Sequence, residues 1–179
     1  MTSSERPNAN WPKRFRQVME FAGLNDHDLE TIRSTGPIVV KYAVRLTNEV
    51  YDLIFKFPDA GRFFLDGAGQ PDAKRIQDNK DTMVQWLFYL AKAPTNDAFT
   101  RYLAAISSMH QTVASHRPGL PPVPSRFVIA TISYYQTRLS EIFQDELDDH
   151  ATASKASMAW NKILMVSLDL LLVAYLSDS

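Results

Sequence analysis

The sequence contains no cysteine. This absence excludes disulfides, thiolate metal sites, iron held by cysteine and a cysteine nucleophile. The chain also lacks an excess of one charge, because its 19 basic and 20 acidic residues leave a formal net charge of -1. It has no dense basic stripe, which binding to a phosphate backbone normally requires. We therefore expect no nucleic-acid partner.

A signal peptide and a long hydrophobic run are missing as well. The opening residues, MTSSERPNANWPKRFRQ, have no apolar core after their charged residues. The most apolar stretch, residues 163–176, carries Asp169 near its middle and is shorter than the roughly 20 residues that a membrane-spanning helix needs. The sequence thus predicts a cytoplasmic protein without membrane contact, whose final helix is buried in the core.

Glycine is scarce, with six residues, and three of them fall near a single loop. The segment LDGAGQPDA contains a GxG pattern but neither the lysine of a phosphate-binding loop nor a strand beside it, so it predicts a plain connection. No segment alternates apolar and polar residues as a half-buried strand does. The sequence therefore predicts an all-α protein with one domain over residues 1–179, of which residues 1–10 form a flexible tail.

Apolar residues recur at helical spacing along most of the chain. Asn25 or Asp26 is expected to cap the second helix, and the Gly36-Pro37 pair is expected to break it. Beyond this break, the apolar face of a long helix that stops at Pro58 would comprise Val40, Val44, Thr47, Tyr51, Ile54 and Phe55. The other predicted helices span residues 11–22, 73–92, 96–114, 125–144 and 151–177.

His110 ends one of these apolar faces. It follows Phe99, Leu103 and Ile106 at steps of four, three and four, so its imidazole shares their inward face. The prolines of the next segment, HRPGLPPVPSRF, cannot continue a helix. A core-facing histidine beside a rigid loop is what an iron ligand in a haem pocket would look like. Spacing alone equally fits a hydrogen-bonded core histidine, and both interpretations stay open on the residues.

Five segments together resemble the protoglobins and the related globin domains of bacterial globin-coupled sensors. They are AGLNDHDLETIR, LTNEVYDLIFKFPDAGRFF, SSMHQT, VPSRFVIATISYYQ and AWNKILMVSLDLLLVAYL. Their order, spacing and helical context agree almost from end to end. The resemblance implies a globin fold with an additional N-terminal helix and a bound haem b.

The same resemblance implies roles for several residues. His110 would bind the iron on the proximal side, with its second ring nitrogen bonded to a carbonyl that the HRPGLPPVP loop could supply. Tyr51 would lie on the distal side and donate a hydrogen bond to bound dioxygen, the alternative being a core tyrosine satisfied by a backbone carbonyl. Phe64 would be the aromatic residue at the corner beside the haem. Phe127, with Thr131 one turn later, would line the pocket from the next helix.

Three further residues are less firmly placed. Asn79 and Met83 lie one turn apart where the family's distal helix crosses the haem, although Asn79 could equally face solvent. Met83 stands where well-studied members carry a bulky aromatic residue, so ligand access is expected to differ, and a core role is favoured over iron coordination. His116 is a rival iron ligand, because the segment between His110 and Phe127 is longer than in most sensor domains.

We expect the protein to bind a diatomic gas, O2, CO or NO, at a pentacoordinate iron for sensing, storage or scavenging. One alternative is a haem enzyme that oxidises nitric oxide or acts as a peroxidase, which would need an external reductase. Another is a haem-free signalling module. The sequence ends at Ser179 without an output module, so an output would come from the globin or a partner. The resemblance also implies a homodimer through the last two long helices, with Tyr134, Tyr135, Arg138, Leu139 and residues 163–176 supplying apolar surface.

Overall fold

The computed structural model describes residues 10–111 and 121–175. Within them the protein is all α-helical, as predicted, and has no strand. The first nine residues of the predicted tail, and the rival ligand His116, lie outside the described residues. Two short 3-10 turns accompany the helices, at Arg62–Phe64 and Val173–Tyr175. The helices are α1 (Trp11–Phe21), α2 (Asp26–Lys56), α3 (Pro58–Gly61), α4 (Ala73–Leu90), α5 (Asp97–Gln111), α6 (Ser125–Glu146) and α7 (His150–Leu172).

The start of α2 is fixed by a capping box. The Asn25 side chain accepts a hydrogen bond from the Asp28 amide at 3.1 Å, and the Asp28 carboxylate accepts one from the Asn25 amide at 3.1 Å. Two of the free amides at the helix start are thereby satisfied. Of the two predicted caps, Asn25 is the one used.

The predicted break at Gly36-Pro37 is wrong, because α2 continues through both residues as one helix of 31 residues. Pro37 removes the amide that would have bonded to the Arg33 carbonyl. Both residues are exposed, so water can satisfy that carbonyl. Gly36 is buried where α2 crosses the end of α4, and a Cβ atom on it would lie 2.6 Å from the Ala91 carbonyl oxygen. The glycine permits this close crossing.

The buried face of α2 is displaced from the predicted one. Val40 and Val44 are 40% and 60% exposed, whereas Thr47 and Tyr51 are buried as predicted. The adjacent stripe packs against the other helices because it turns toward α4, α6 and α7. That stripe contains Val39, Ala43, Leu46 and Val50.

The core is organised around α7, which packs against α6, α2, α5 and α1. Trp160 is buried, and its indole N–H donates to the Thr35 hydroxyl of α2 at 2.9 Å. Asp169 accepts two hydrogen bonds from the Arg14 guanidinium, both at 2.7 Å. Segment His150–Tyr175 is long and apolar enough to cross a membrane by length and composition alone, but most of it is buried inside the protein. The predicted buried final helix is confirmed.

The residues expected to supply a dimer surface on α6 and α7 are largely internal. Tyr135, Leu139 and Ile163 are fully buried. Tyr134 and Arg138 are engaged with the Glu49 carboxylate of α2. The predicted surplus apolar surface is therefore wrong for Tyr135, Leu139 and Ile163, which are used within the same chain, whereas Met165 of the predicted stretch is 44% exposed.

Candidate functional site

His110 lies in the last turn of α5, at the end of the predicted inward face. Phe99 and Leu103 of that face are buried, and Ile106 and His110 are partly buried. The Nδ1 atom of His110 is 2.9 Å from the Ile106 carbonyl oxygen, one turn earlier. A carbonyl can only accept, so this hydrogen bond requires the proton on Nδ1 and leaves the lone pair of Nε2 free. Coordination of a metal through Nε2 needs this tautomer.

The electrostatics of His110 favour the same state. Burial lowers the pKa of its imidazole below the ordinary value, and the hydrogen bond with the Ile106 carbonyl only partly opposes this. The ring is therefore neutral near pH 7. The carbonyl that orients it belongs to the helix itself and not to the HRPGLPPVP loop, so that prediction is corrected. A backbone acceptor has no residue-type signature, which is why the sequence did not indicate Ile106.

The helix that carries His110 is held from two sides. The Ser107 hydroxyl is buried, donates to the Leu171 carbonyl of α7 at 2.9 Å and accepts from the Ala174 amide at 3.1 Å. The Val123 amide donates to the His110 carbonyl at 3.0 Å, so the chain returns to this point just before α6. These bonds fix the position of the last turn of α5.

Tyr51 lies in α2 within a group of aromatic rings. The ring centroids of Tyr51 and Phe64 are 5.2 Å apart in an edge-to-face arrangement, and that of Phe55 is 6.4 Å from Tyr51 and 6.2 Å from Phe64. The structure thus brings Tyr51 and Phe64 together. Phe55 is part of the group but was predicted only as a residue of the helix face. It remains 38% exposed, so it presents apolar ring surface beside Tyr51.

The Tyr51 hydroxyl has an unusual environment. The residue is 2% exposed, and its hydroxyl makes no hydrogen bond to a described residue, although its oxygen is not one of the fully buried polar atoms that lack a partner. Burial, with a smaller contribution from Tyr135, raises the pKa of the phenol well above its ordinary value. The ammonium of Lys80 lies 5.3 Å from the ring centroid and bonds to the Asn48 side chain at 2.8 Å. The hydroxyl is thus a neutral donor without an acceptor among residues 10–111 and 121–175, and the alternative of a backbone carbonyl partner finds no support there.

Asn79 and Met83 lie on α4, one turn apart. The Asn79 amide donates to the Arg75 carbonyl at 2.9 Å, so its nitrogen is committed to its own helix. The residue is partly buried and not fully turned to solvent. Met83 is partly buried against the core. Its thioether therefore contributes apolar packing surface from α4.

Phe127 and Thr131 lie in the first two turns of α6. Phe127 is partly buried, with the Arg126 guanidinium 4.9 Å from its ring centroid. The Thr131 hydroxyl donates to the Phe127 carbonyl at 2.8 Å. No ring contact or hydrogen bond between described residues joins either residue, or His110, to the group of Tyr51, Phe55 and Phe64. A flat cofactor bound between α4 and α5 would lie between two sets of residues. One set is His110, Phe127 and Thr131, and the other is Tyr51, Phe55 and Phe64.

Two surface cavities lie elsewhere and are lined mainly by polar or charged side chains. One, of about 370 Å³, is bordered by Tyr42, Arg45 and Arg138, and the other, of about 540 Å³, lies between α6 and α7. Neither includes Tyr51 or His110. Their polar and charged linings do not suit an apolar macrocycle.

The fold is shared with solved globin domains. The globin domain of a globin-coupled sensor from Geobacter sulfurreducens superposes with a TM-score of 0.73 at 21% identity, covering 89% of this chain and 96% of that one. The ferrous globin domain of DosC from E. coli gives a TM-score of 0.64 at 17% identity, covering 87% of this chain and 97% of that one. Its ferric form gives 0.65 at 16% identity with the same coverage. These similarities confirm the globin fold.

Sequence comparisons give two further results. No curated protein matches the chain. A family model described as Protoglobin matches residues 12–179.

Proposed function

Because the chain belongs to the protoglobin family, we propose that it is a haem b protein that binds a diatomic gas, O2, CO or NO, reversibly at a pentacoordinate iron. The observation that carries the proposal is the bond between His110 Nδ1 and the Ile106 carbonyl. This bond leaves the Nε2 atom of a neutral imidazole with a free lone pair, which can coordinate a metal at the end of α5. When bound, the haem supplies the iron and its open coordination position for the gas.

The described residues fit such a group on both of its sides. Phe55, Phe64 and Met83 offer the apolar surface against which a porphyrin would pack. His110 would hold the proximal side, and Tyr51 would face the gas. Phe127 and Thr131 would border the proximal half from α6. The Tyr51 hydroxyl supports this assignment, since it makes no hydrogen bond to a described residue and a polarised diatomic ligand would provide an acceptor.

Tyr51 would act as a hydrogen-bond donor and not as a proton donor. Its pKa lies far above neutrality, so its proton stays on the phenol at physiological pH. Dioxygen becomes more negative than carbon monoxide when it binds iron, so the hydroxyl would stabilise it more. The residue would therefore favour oxygen retention. This selectivity suits sensing, storage or scavenging of oxygen.

A homodimer and a cytoplasmic location remain part of this proposal. The outward surface between α6 and α7 is mostly polar, with Met158 as a 56% exposed apolar side chain. A dimer through these helices would use this surface and not the buried tyrosine and leucine side chains. Light scattering coupled to size-exclusion chromatography would give the mass in solution. A mass of one chain at micromolar concentration would contradict the dimer.

The test of the proposed function is the absorption spectrum of the protein purified with haem supplied, in ferric, ferrous and carbon monoxide forms. We expect a spectrum of histidine-ligated haem that His110→Ala abolishes or alters. His27→Ala and His150→Ala, which remove exposed histidines, are matched controls and should leave it unchanged.

Two further variants make the test specific. In His110→Gly, added imidazole should restore the spectrum, because it can occupy the space of the missing ring. An unchanged spectrum and carbon monoxide affinity in His110→Ala would contradict the role of His110. Loss of the spectrum in His116→Ala would then assign the ligand to the rival histidine. A wild-type protein that takes up no haem would contradict the proposed function itself.

A further inference from the structure

Three polar groups lie in the core beside Tyr51 without a hydrogen-bond partner. They are the Thr47 hydroxyl, the Tyr135 hydroxyl and the Trp86 indole N–H. The residues are 1%, 0% and 6% exposed, respectively. They come from α2, α6 and α4, so three separate helices direct polar atoms into apolar surroundings. In the sequence, Thr47 was expected only on a helix face and Tyr135 only on a dimer surface, and Trp86 was not singled out.

These groups share one region of the interior. Thr47 lies one turn before Tyr51, so their side chains project from the same face of α2. The rings of Trp86 and Tyr135 are 5.5 Å apart. The Thr47 hydroxyl is close enough to lower the pKa of the Tyr135 phenol, against the larger effect of burial, although neither hydroxyl has a partner within hydrogen-bond geometry. Tyr135 in turn contributes to the raised pKa of Tyr51.

Leaving three such groups unpaired is costly. A buried donor or acceptor without a partner loses its bonds to water and gains nothing in return. Native proteins leave few of these groups, and a cluster of them normally encloses an ordered water with two to four polar partners. The indole can only donate, whereas the two hydroxyls can donate or accept. Together they offer a water molecule both kinds of partner.

We propose that Thr47, Trp86 and Tyr135 form a buried water site behind Tyr51, and that this site orients the Tyr51 hydroxyl toward the gas. The water accepts from the Trp86 indole and the Tyr135 hydroxyl, and it donates to the Thr47 and Tyr51 oxygens. The single Tyr51 proton is then left to point into the pocket. Tyr135 is thus a positioning residue that acts through Tyr51. The water site stands independently of haem, whereas its effect on gas binding rests on the proposed function.

The first test is the melting temperature of the haem-free protein. Thr47→Val keeps the shape of the side chain and removes its hydroxyl. If water fills the site, the variant loses a hydrogen bond, and the melting temperature falls by about 2–4 °C. Thr100→Val is the matched control, because the Thr100 hydroxyl is equally buried and bonds to the Asp97 carbonyl at 2.9 Å. The melting temperature should fall by a similar amount in both variants. A rise in Thr47→Val would show a dry site and overturn the proposal.

The second test is gas selectivity in the haem-loaded protein. Tyr135→Phe should raise the dissociation constant for dioxygen by about threefold to tenfold and change that for carbon monoxide less than twofold. Tyr102→Phe is the control, because its hydroxyl is also buried without a described partner but its ring contacts Tyr89 and Phe99. It should change neither constant. Equal changes for both gases in Tyr135→Phe, or none, would overturn the positioning role.

Failure of the inference and failure of the proposed function give different results. If the wild type takes up haem and Tyr51→Phe weakens dioxygen binding while Tyr135→Phe does not, the function stands and the positioning role fails. If the wild type takes up no haem, the proposed function fails. The comparison of Thr47→Val with Thr100→Val then still decides whether the water site exists.

Discussion

The hydroxyl group is the sole difference between Tyr51 and phenylalanine, and the ring that carries it is held by Phe55 and Phe64. Tyr51→Phe should therefore leave the packing intact. Because the removed bond would involve a charged acceptor, worth about 1.5–3 kcal/mol, we expect dioxygen affinity to fall by about tenfold to a hundredfold. Carbon monoxide affinity should change far less. Stopped-flow dissociation rates and ligand titrations would measure both.

The control for this variant is Tyr89→Phe, since Tyr89 is 45% exposed and lies at the far end of α4. It should leave both affinities as they are. Equal losses for the two gases in Tyr51→Phe would contradict a donor role and indicate a purely steric one.

At the residue scale, the sequence predicts a side chain's position better than its partners. His110 and Tyr51 could be found because helical spacing and neighbouring segments determine which face they occupy. The Ile106 carbonyl could not, since every residue has a carbonyl and only the ring rotamer selects one. Tyr135 was expected on a dimer surface because the resemblance implies a dimer through the last two long helices. Its burial depends on α2 and α4, which are far from it in sequence.

The crossing of α2 over the end of α4 is the main feature at the scale of secondary-structure elements. A Cβ atom at position 36 would lie 2.6 Å from the Ala91 carbonyl oxygen, which is backbone and cannot rotate away. Gly36→Ala would gain about 1 kcal/mol of helix propensity but must push the helices apart. We expect the free energy of unfolding to fall by about 1–3 kcal/mol net, measured by urea denaturation.

Gly67→Ala is the matched control, because no atom lies within 4 Å of the added methyl group. It should change the free energy of unfolding by less than about 0.5 kcal/mol. An unchanged or raised stability in Gly36→Ala would mean that the crossing can widen without cost.

The elements themselves follow from the sequence more closely than their interruptions do. The observed bounds of α4 and α6 lie within two residues of the predicted ones, because caps and apolar periodicity are local signals. The pair Gly36-Pro37 is also a local signal, yet it predicted a break where α2 continues. The glycine permits a close helix crossing, and the proline lies on the solvent side, where water can replace its missing bond. Neither fact is visible before the helices are packed.

At the scale of the whole molecule, a cluster of charges joins α2 to α6. The Glu49 carboxylate accepts hydrogen bonds from Arg45 at 2.8 Å, Tyr134 at 2.9 Å and Arg138 at 3.1 Å. Partial burial raises the pKa of Glu49, but these bonds outweigh it and lower the pKa to about 2 from an ordinary value of 4.5. The cluster closes one side of the core.

This shift predicts a pH dependence of stability. A carboxyl with a lowered pKa stabilises the folded state above its unfolded pKa, and the contribution is lost as the pH falls through the folded pKa. Glu49→Gln should lower the free energy of unfolding by about 1–2 kcal/mol at pH 7. The difference from the wild type should shrink between pH 4.5 and about pH 2. Denaturation at several pH values would measure it.

Glu20→Gln serves as the control, because Glu20 is exposed at the end of α1. It should change stability by less than about 0.5 kcal/mol at pH 7. A difference between Glu49→Gln and the wild type that stays constant from pH 7 to pH 2 would contradict the role of the ionised carboxylate.

The small hydroxyl of Ser107 ties together two parts of the chain that are 64 residues apart, the last turn of α5 and the end of α7. Chain termini are commonly the first segments to fray. Here the turn at Val173–Tyr175 cannot loosen without breaking a bond to the helix that holds His110. The two segments therefore open as one cooperative unit, and their amide hydrogens should exchange with solvent at a common rate. The position of the His110 imidazole therefore depends on the order of the turn at Val173–Tyr175.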